Sequence, residues 1–342
     1  MEPKDFDFYL PPHLIAQWPP KERGASRLMV LSRATGEISH RGFRDIKDHL
    51  RPGDLLVLND TRVIPARLLG NKATGGKAEV LLTEKLPAAR AGKEAWRCMV
   101  RPSKGVGPGS RFFFGQGVEA VVLESDADGF RVCEFSAPPD LDRIGRIPLP
   151  PYIKREAEEE DGERYQTVFA SSDGAIAAPT AGLHFTEPLL DEIRGMGVEV
   201  HRITLHTGPG TFMPVRVKEI SRHRMLPERY GIPEEVFASI ARAKKEGRRV
   251  IAVGTTSTRA LEAAASDGLD NPKLKGATGL FIYPGYGFKV VDALLTNFHL
   301  PGSTLIMLVC AFAGRERVLD AYAEAVKEGY RFFSYGDAML II

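Results

Sequence analysis

Residues 250–262 read Val250-Ile251-Ala252-Val253-Gly254-Thr255-Thr256-Ser257-Thr258-Arg259-Ala260-Leu261-Glu262. The apolar residues predict a buried strand, and the end of the segment predicts the first turn of a helix. Between them we expect a tight turn with hydroxyl side chains. Such a turn directs free backbone N–H groups and the positive end of the helix dipole at one place. We predict a binding site for a carboxylate, a phosphate or a base edge, formed by Gly254, Thr255, Thr256, Ser257 and Arg259.

A purely structural interpretation of this segment is also open. Arg259 and Glu262 are three residues apart, so they could pair on the surface of a capped helix. A capping box, however, would need serine or threonine three residues before Glu262, where the chain has Arg259. We favour the functional interpretation and include Glu262 among the candidate catalytic residues.

The composition limits the class of protein. With 342 residues, the chain is long enough for two domains with buried cores. Lys and Arg total 46 against 44 for Asp and Glu, so a polyanion must be met by a local basic patch. The three cysteines lack CxxC spacing, which favours a reducing compartment over disulfides or a zinc site. The charged N-terminus and the lack of a long apolar run predict a cytoplasmic protein without a membrane segment.

The periodicity of the sequence changes twice along the chain. Residues 63–146 have no helical stripe, but they contain short β-type runs separated by glycine-rich turns. This pattern is typical of a small barrel or sandwich. Strands and helices alternate on both sides of it. We predict an α/β (mixed α+β) main domain formed by residues 1–62 and 147–342, interrupted by an inserted all-β, barrel-like domain at residues 63–146.

Polar residues precede two of the predicted helices. Thr180 and His184 lie just before a helix that Thr186 caps. Asn297 and His299 alternate with apolar residues shortly before another helix, so both can face the same cleft. These four residues join the candidate site.

A glycine-containing turn follows the predicted strand at residues 198–205, and it reads His206-Thr207-Gly208-Pro209-Gly210. Methyltransferases with a Rossmann fold also carry a Gly-x-Gly turn after a strand. Here the complete Gly-x-Gly-x-x-Gly motif is absent, and Pro214 does not continue as a helix. Gly208 and Gly210 still let a ligand approach the backbone, so they are candidate binding residues.

One segment, from His223 to Glu228, contains residue types that bind metals. Pro227 interrupts the helix that would place the two side chains on one face. We therefore predict no metal site.

Seven motifs occur in order over nearly the whole chain. They are residues 52–62, 148–153, 164–170, 178–186, 254–262, 296–301 and 330–339, among them Ala178-Pro179-Thr180-Ala181-Gly182-Leu183-His184-Phe185-Thr186 and Thr296-Asn297-Phe298-His299-Leu300-Pro301. Together they resemble the S-adenosylmethionine:tRNA ribosyltransferase-isomerase family of queuosine biosynthesis. Two positions depart from the family pattern: the chain has His223-Arg224-Met225-Leu226 in place of His-x-Met-His, and Gly208-Pro209-Gly210 in place of Gly-Leu-Gly.

The resemblance implies a reaction and an architecture. Members of the family attach the ribosyl part of S-adenosylmethionine to 7-aminomethyl-7-deazaguanine at the wobble position of tRNA. The product is epoxyqueuosine, and adenine and methionine are released. S-adenosylmethionine is thus a consumed substrate, and we expect no separate cofactor. The family architecture, an α/β domain with a β-barrel insertion, agrees with the independent prediction from periodicity.

The implied chemistry assigns roles to the candidate residues. A base must remove a proton beside the sulfonium, and an acid can assist the departure of adenine. His184, His206 and His299 are the histidines near the predicted turns, and they are the acid/base candidates together with Glu262. Tyr283 and Tyr286 could bind the sulfonium through their ring faces.

Other functions and the mode of tRNA binding remain open. An S-adenosylmethionine-dependent nucleic-acid methyltransferase would use the same donor, and a non-catalytic RNA-binding protein could use the barrel alone. If tRNA is bound, we expect local basic residues to contact its phosphates, and we expect the protein to act as a monomer. The candidates follow the Gly208-Pro209-Gly210 turn and are Arg216, Lys218, Arg222 and Arg224.

Overall fold

The computed structural model describes residues 1–87, 92–127, 129–213 and 215–342 of the protein. The strands are β1 (Arg27–Leu31), β2 (Ile38–Gly42), β3 (Leu55–Asn59), β4 (Thr61–Val63), β5 (Arg67–Lys72), β6 (Lys77–Leu86), β7 (Glu94–Arg101), β8 (Arg111–Phe113), β9 (Glu119–Ser125), β10 (Arg131–Phe135), β11 (Gly145–Arg146), β12 (Ser172–Ala175), β13 (Glu199–Leu205), β14 (Glu228–Gly231), β15 (Val250–Val253), β16 (Lys275–Thr278), β17 (Ala293–Asn297) and β18 (Ala338–Ile341). The α-helices are α1 (Leu141–Ile144), α2 (Asp161–Arg164), α3 (Glu187–Gly195), α4 (Glu234–Lys245), α5 (Gly254–Ala264), α6 (Thr304–Ala313) and α7 (Arg315–Lys327). Short 3-10 helices include Phe43–His49, Thr180–His184 and Pro209–Phe212.

The main sheet of the described residues has nine strands in the order β16-β14-β13-β3-β15-β17-β18-β1-β2. Its centre is parallel, because β13, β3, β15 and β17 all run in one direction. The last strand of the chain, β18, lies antiparallel to β17 and parallel to β1. Strands β2, β14 and β16 are antiparallel to their neighbours. The predicted α/β main domain is therefore confirmed.

Helices cover both faces of this sheet because its central strands are apolar on both sides. Along β3, Leu55 and Val57 face the layer that contains α4, α5, α6 and α7. Leu56 and Leu58 face the opposite layer, which contains Phe43 and α3. Alternating side chains on a strand point to opposite faces, so a continuous apolar run is expected where both faces are covered. None of the helices in the described ranges has the length and apolar character needed to cross a membrane.

The second sheet closes into an antiparallel barrel. Its described strands follow the order β11-β5-β6-β7-β10-β9-β8, and β8 also pairs with β5, which completes a ring of six strands. Alternate residues of these strands fill the interior, including Val80, Phe112 and Phe135. Closure leaves few unpaired strand edges, which suits a small all-β unit. The inserted barrel predicted from the sequence is confirmed, while its exact limits at residues 63 and 146 stay a prediction.

Candidate active site

A pocket lies at one edge of the main sheet, where four parallel strands end. β3, β13, β15 and β17 end at Asn59, Leu205, Val253 and Asn297. In open α/β sheets, ligands bind outside the carboxyl ends of such strands. We call this space the edge pocket. Its free volume is about 70 Å³, and its lining includes Tyr152, Thr180, Thr207, Gly254, Thr255, Thr256, Asn297, His299, Phe333 and Ser334.

The segment at residues 254–258 differs from the turn predicted from the sequence. Helix α5 begins directly at Gly254, whose φ of +91° favours glycine. Gly254, Thr255 and Thr256 line the edge pocket, as their candidate role requires. The hydroxyls of Ser257 and Thr258 instead donate to the backbone oxygens four residues earlier, at 2.7 and 3.1 Å. Ser257 is therefore part of the helix interior and does not reach the pocket.

Arg259 is a buried ion-pair residue, so the prediction that it binds substrate is not supported by the geometry. Its guanidinium pairs with Glu228 and donates to the backbone oxygen of Leu280 at 3.0 Å. Glu228 also accepts from the N–H of Gly208 at 2.8 Å. Arg259 therefore connects α5 to β14 and to the loop after β13. It neither lines the edge pocket nor pairs with Glu262.

Glu262 is also structural, so its prediction as a catalytic residue is not supported by the geometry. Its carboxylate accepts from three consecutive backbone N–H groups, those of Lys289, Val290 and Val291, at 2.8–3.0 Å. The hydroxyl of Tyr286 donates to it as well, at 3.3 Å. A carboxylate that accepts this many hydrogen bonds fixes the loop at residues 286–291.

The aromatic residues of the pocket are not those predicted. Tyr283 packs on Phe281, and Tyr286 packs on Phe288, both outside the edge pocket. The pocket instead contains a stacked pair, Tyr152 and Phe333, with ring centroids 4.5 Å apart. Phe333 has a φ of +72°, a strained conformation for a residue with a side chain. Both residues lie in family motifs at 148–153 and 330–339, which was the signal available in the sequence.

Asn297 is held so that its amide oxygen has no partner among the described residues. Its Nδ2 donates to the backbone oxygen of Phe333 at 3.0 Å and lies 3.2 Å from Nε2 of His184. Because a carbonyl only accepts, the amide nitrogen must be on that side. Oδ1 is buried and has no hydrogen-bond partner among the described residues. It is therefore an acceptor available to a ligand.

His184 lies behind Asn297 and does not line the edge pocket. Its Nε2 accepts from the amide, so Nδ1 carries the proton and donates to Ser26 Oγ at 3.0 Å. Burial and the nearby Arg331 cation lower the pKa of His184 to about 3. With both ring nitrogens engaged and the ring neutral, His184 positions Asn297 and has no free atom for proton transfer.

His299 lines the pocket and keeps one ring nitrogen available. Thr296 Oγ1 lies 2.8 Å from Nε2 of His299, and the same hydroxyl donates to the backbone oxygen of Asn297 at 3.3 Å. The Thr296 oxygen therefore accepts from His299, which places the proton on Nε2 and leaves a lone pair on Nδ1. Burial lowers the pKa of His299 to about 3, so the ring is neutral. Of the predicted acid/base residues, His299 is the one whose free nitrogen lies at the pocket.

The two buried histidines lead to an expected pH dependence of stability. Their pKa values are about 3 in the folded protein against an ordinary value of 6.5. Between these values the unfolded chain binds more protons, so the free energy of unfolding should fall as the pH drops below about 6.5. Each histidine contributes up to about 1.4 kcal/mol per pH unit. Urea unfolding at pH 7, 6 and 5 measures how the free energy of unfolding changes with pH. His299→Gln should remove the contribution of one histidine to this change. A free energy of unfolding that does not change with pH would contradict the burial of both rings.

A second space, which we call the junction cavity, lies between the barrel and the main domain. Its volume is about 430 Å³, and it includes His206, Gly208, Trp96 and Phe130 in its lining. Thr207 lines both this cavity and the edge pocket, and its hydroxyl is buried without a partner among the described residues. Thr207 therefore lies between the two spaces.

His206 lines the junction cavity, whereas Gly210 does not. Nδ1 of His206 lies 2.8 Å from Thr61 Oγ1, and burial lowers the pKa of the ring. Gly210 lines neither the edge pocket nor the junction cavity; a Cβ there would lie 3.3 Å from Leu226. The structure thus places His206 at the junction cavity, separate from His299.

The four predicted tRNA-binding cations do not form one cluster. Arg216 lines a cleft along one face of the barrel. Arg222 pairs with Glu219 at 3.2 Å, and Arg224 donates to the backbone oxygens of Ser221 and His223. Lys218 is exposed.

Fold and site together define an α/β enzyme with an uncharged pocket at the carboxyl edge of its sheet and an inserted barrel beside it. The sequence was compared with known proteins. A family model described as queuosine biosynthesis protein matches residues 3–341. The chain belongs to this family.

Relatives with a functional name are similar to this chain over nearly its full length. A protein of Syntrophotalea carbinolica, named S-adenosylmethionine:tRNA ribosyltransferase-isomerase, is 54% identical over 346 residues and covers 100% of both chains. A protein of Citrifermentans bemidjiense with the same name is 56% identical and covers 98% of each chain. The crystal structure of S-adenosylmethionine tRNA ribosyltransferase from Thermotoga maritima is 40% identical, covers 99% of this chain and 100% of that chain, and has a TM-score of 0.56.

Proposed function

We propose that this enzyme transfers and isomerises the ribosyl moiety of S-adenosylmethionine onto 7-aminomethyl-7-deazaguanine at the wobble position of tRNA. The products are epoxyqueuosine-tRNA, adenine and methionine. Family membership over residues 3–341 supports this reaction. S-adenosylmethionine is consumed as a substrate, without a separate cofactor.

The observation that carries the proposal is the electrostatic character of the edge pocket. Its described lining contains no Lys, Arg, Asp or Glu, and its histidine, His299, is neutral. A sulfonium cation would be repelled by a nearby ammonium or guanidinium. It is attracted to aromatic faces, and the stacked Tyr152 and Phe333 supply them.

The free polar atoms of the pocket fit the first chemical steps. Nδ1 of His299 has the lone pair needed to accept a proton from the ribose carbon beside the sulfonium. Oδ1 of Asn297 can accept a hydrogen bond from an N–H or O–H group of the same substrate. Thr207 lines both the edge pocket and the junction cavity, and its hydroxyl has no partner among the described residues, so a transfer between substrates in the two spaces would pass this residue.

The alternative, methylation of a nucleic acid by S-adenosylmethionine, is not favoured by the family relatives. We further propose that the enzyme acts as a monomer in the cytoplasm. A tRNA substrate and three free, buried cysteines support a reducing compartment.

Product analysis tests the proposed function. With S-adenosylmethionine and tRNA that bears the aminomethyl base, we expect adenine and methionine in equal amounts and an epoxide-containing nucleoside after tRNA digestion. Chromatography with mass detection measures all three. Release of adenosylhomocysteine with a methylated base, and no free adenine, would support the methyltransferase instead.

A further inference from the structure

A second cleft along one face of the barrel adjoins the junction cavity. This cleft, which we call the basic cleft, has a volume of about 550 Å³. Glu79 and Leu81 of β6 line the basic cleft, and Thr83 of the same strand lines the junction cavity. These residues alternate with the buried interior of the barrel, so they share its outer face. Pro209 lines both spaces, so they adjoin at this residue, and we call the two together the groove.

Most of the charge in the basic cleft is compensated internally. Both carboxylates in its lining, Glu79 and Glu156, bond to Arg67 at 2.8–3.0 Å. Arg155 forms two hydrogen bonds with Asp161, at 2.6 and 2.8 Å. These groups are structural and offer little charge to a ligand.

Three further cations in the cleft have no carboxylate partner among the described residues. Arg101 comes from β7, Lys154 from the segment that returns from the barrel, and Arg216 from the segment after Gly208-Pro209-Gly210. All three side chains are exposed or partly exposed. The whole chain has a formal net charge of only +2, so their convergence is not the result of a general cationic excess. Unpaired cations in one groove fit a polyanion.

We propose that the phosphate backbone of the tRNA substrate binds in the basic cleft, through Arg101, Lys154 and Arg216, with the target base in the junction cavity. This inference rests on the proposed function for the identity of the polyanion. The shared residue Pro209 supports it, because it places the three cations in a cleft next to the cavity that Thr207 lines. The exposed Met213 and the partly exposed Leu81 and Met99 offer apolar contacts for sugars and bases along the same path.

The proposal revises the predicted tRNA contacts. Of the four cations chosen from the sequence, it keeps Arg216, because Arg216 alone lines the groove. Arg222 already has a carboxylate partner, Glu219. Two cations distant in sequence, Arg101 and Lys154, replace the other three.

The test is the salt dependence of tRNA binding by the full-length enzyme. The variant Arg101→Gln/Lys154→Gln/Arg216→Gln removes three cations while keeping polar side chains. Binding of tRNA that bears the aminomethyl base is measured by fluorescence anisotropy at about 50–300 mM KCl. Each lost phosphate contact should reduce the log–log slope by about 0.7–0.9, so the triple variant should lose about 2–3. Each single substitution should reduce the log–log slope by about 0.7–0.9, the contribution of one phosphate contact. S-adenosylmethionine should still bind to every variant.

A matched control removes the same number and type of charges from elsewhere. Arg41, Arg51 and Lys245 have no carboxylate within ion-pair distance among the described residues and do not line the groove. Arg51 and Lys245 precede β3 and β15, at the edge of the sheet opposite the pocket. Changing all three to glutamine should leave the salt slope and the affinity for tRNA within about twofold of wild type, since no phosphate contact is lost.

The outcomes distinguish a failure of the proposed tRNA-binding surface from a failure of the proposed reaction. An unchanged slope in the groove variant, or equal losses in both triple variants, would overturn the proposal. If wild-type enzyme releases no adenine but the groove variant still loses tRNA affinity, the proposed reaction fails and the groove stands. If wild type releases adenine and the groove variant binds tRNA normally, the groove fails and the reaction stands.

Discussion

Replacing Arg259 by alanine is expected to lower the free energy of unfolding by about 3–5 kcal/mol, because it leaves the buried carboxylate of Glu228 without its cation. The two side chains are 3% and 2% exposed, so water cannot replace the lost partner. Denaturant unfolding at pH 7, followed by circular dichroism, measures the effect. The loop at Gly208, whose N–H donates to Glu228, should become less protected from hydrogen exchange.

The control for this prediction removes both charges together. The variant Arg259→Met/Glu228→Gln keeps an oxygen for Gly208 and leaves no unpaired ion, so it should recover much of the lost stability. Arg259→Ala with nearly normal stability but a large loss of turnover would restore the original prediction that Arg259 binds substrate.

Changing His299 to glutamine is expected to reduce adenine release by about 10²–10⁴-fold, the usual contribution of a positioned base. Glutamine can keep the hydrogen bond to Thr296 that Nε2 makes, but it lacks the lone pair of Nδ1. Single-turnover release of adenine at saturating S-adenosylmethionine measures the chemical step. Equilibrium dialysis should show that S-adenosylmethionine still binds within a few-fold of wild type.

Thr296→Val is the matched comparison for His299→Gln. It removes the acceptor that holds the Nε2–H tautomer but leaves Nδ1 in place. We expect a smaller loss of adenine release than with His299→Gln. Wild-type rates in His299→Gln would exclude this residue as the base and direct attention to His206 in the junction cavity.

The fold could be predicted from the sequence because its signals are local. The apolar run at residues 250–253 and the glycine-punctuated β runs of the barrel depend on neighbours within a few positions. The same is true of the N-cap at Thr186, whose hydroxyl accepts from the N–H of Leu189. Barrel closure by β8 and β5 joins distant residues and appeared only in the structure.

The sequence could predict which candidate residues lie at the edge of the sheet, because their positions depend on the order of the strands. It could not predict which charged side chains have partners elsewhere in the chain. Thr255, Asn297 and His299 follow or end parallel strands, and topology alone brings such positions to one edge. Arg259 and Glu262 have the same local pattern, yet partners 24–31 residues away, Tyr286 and Glu228 among them, engage their charges. Nothing within α5 itself distinguishes a charge that serves a substrate from one neutralised by a remote strand or loop.

The position of β18 determines when the molecule can assemble during its own synthesis. β1 and β2 are made first, but their place in the main sheet is beside β18, the last strand of the chain. The barrel strands, Arg67 to Arg146, are complete much earlier and need none of the later residues for their ring. The N-terminal hairpin can therefore take its place in the main sheet only after β18 has been made, later than the strands of the barrel. A ribosome that stalls before β18 would hold a chain whose first two strands have no neighbour in the main sheet except each other.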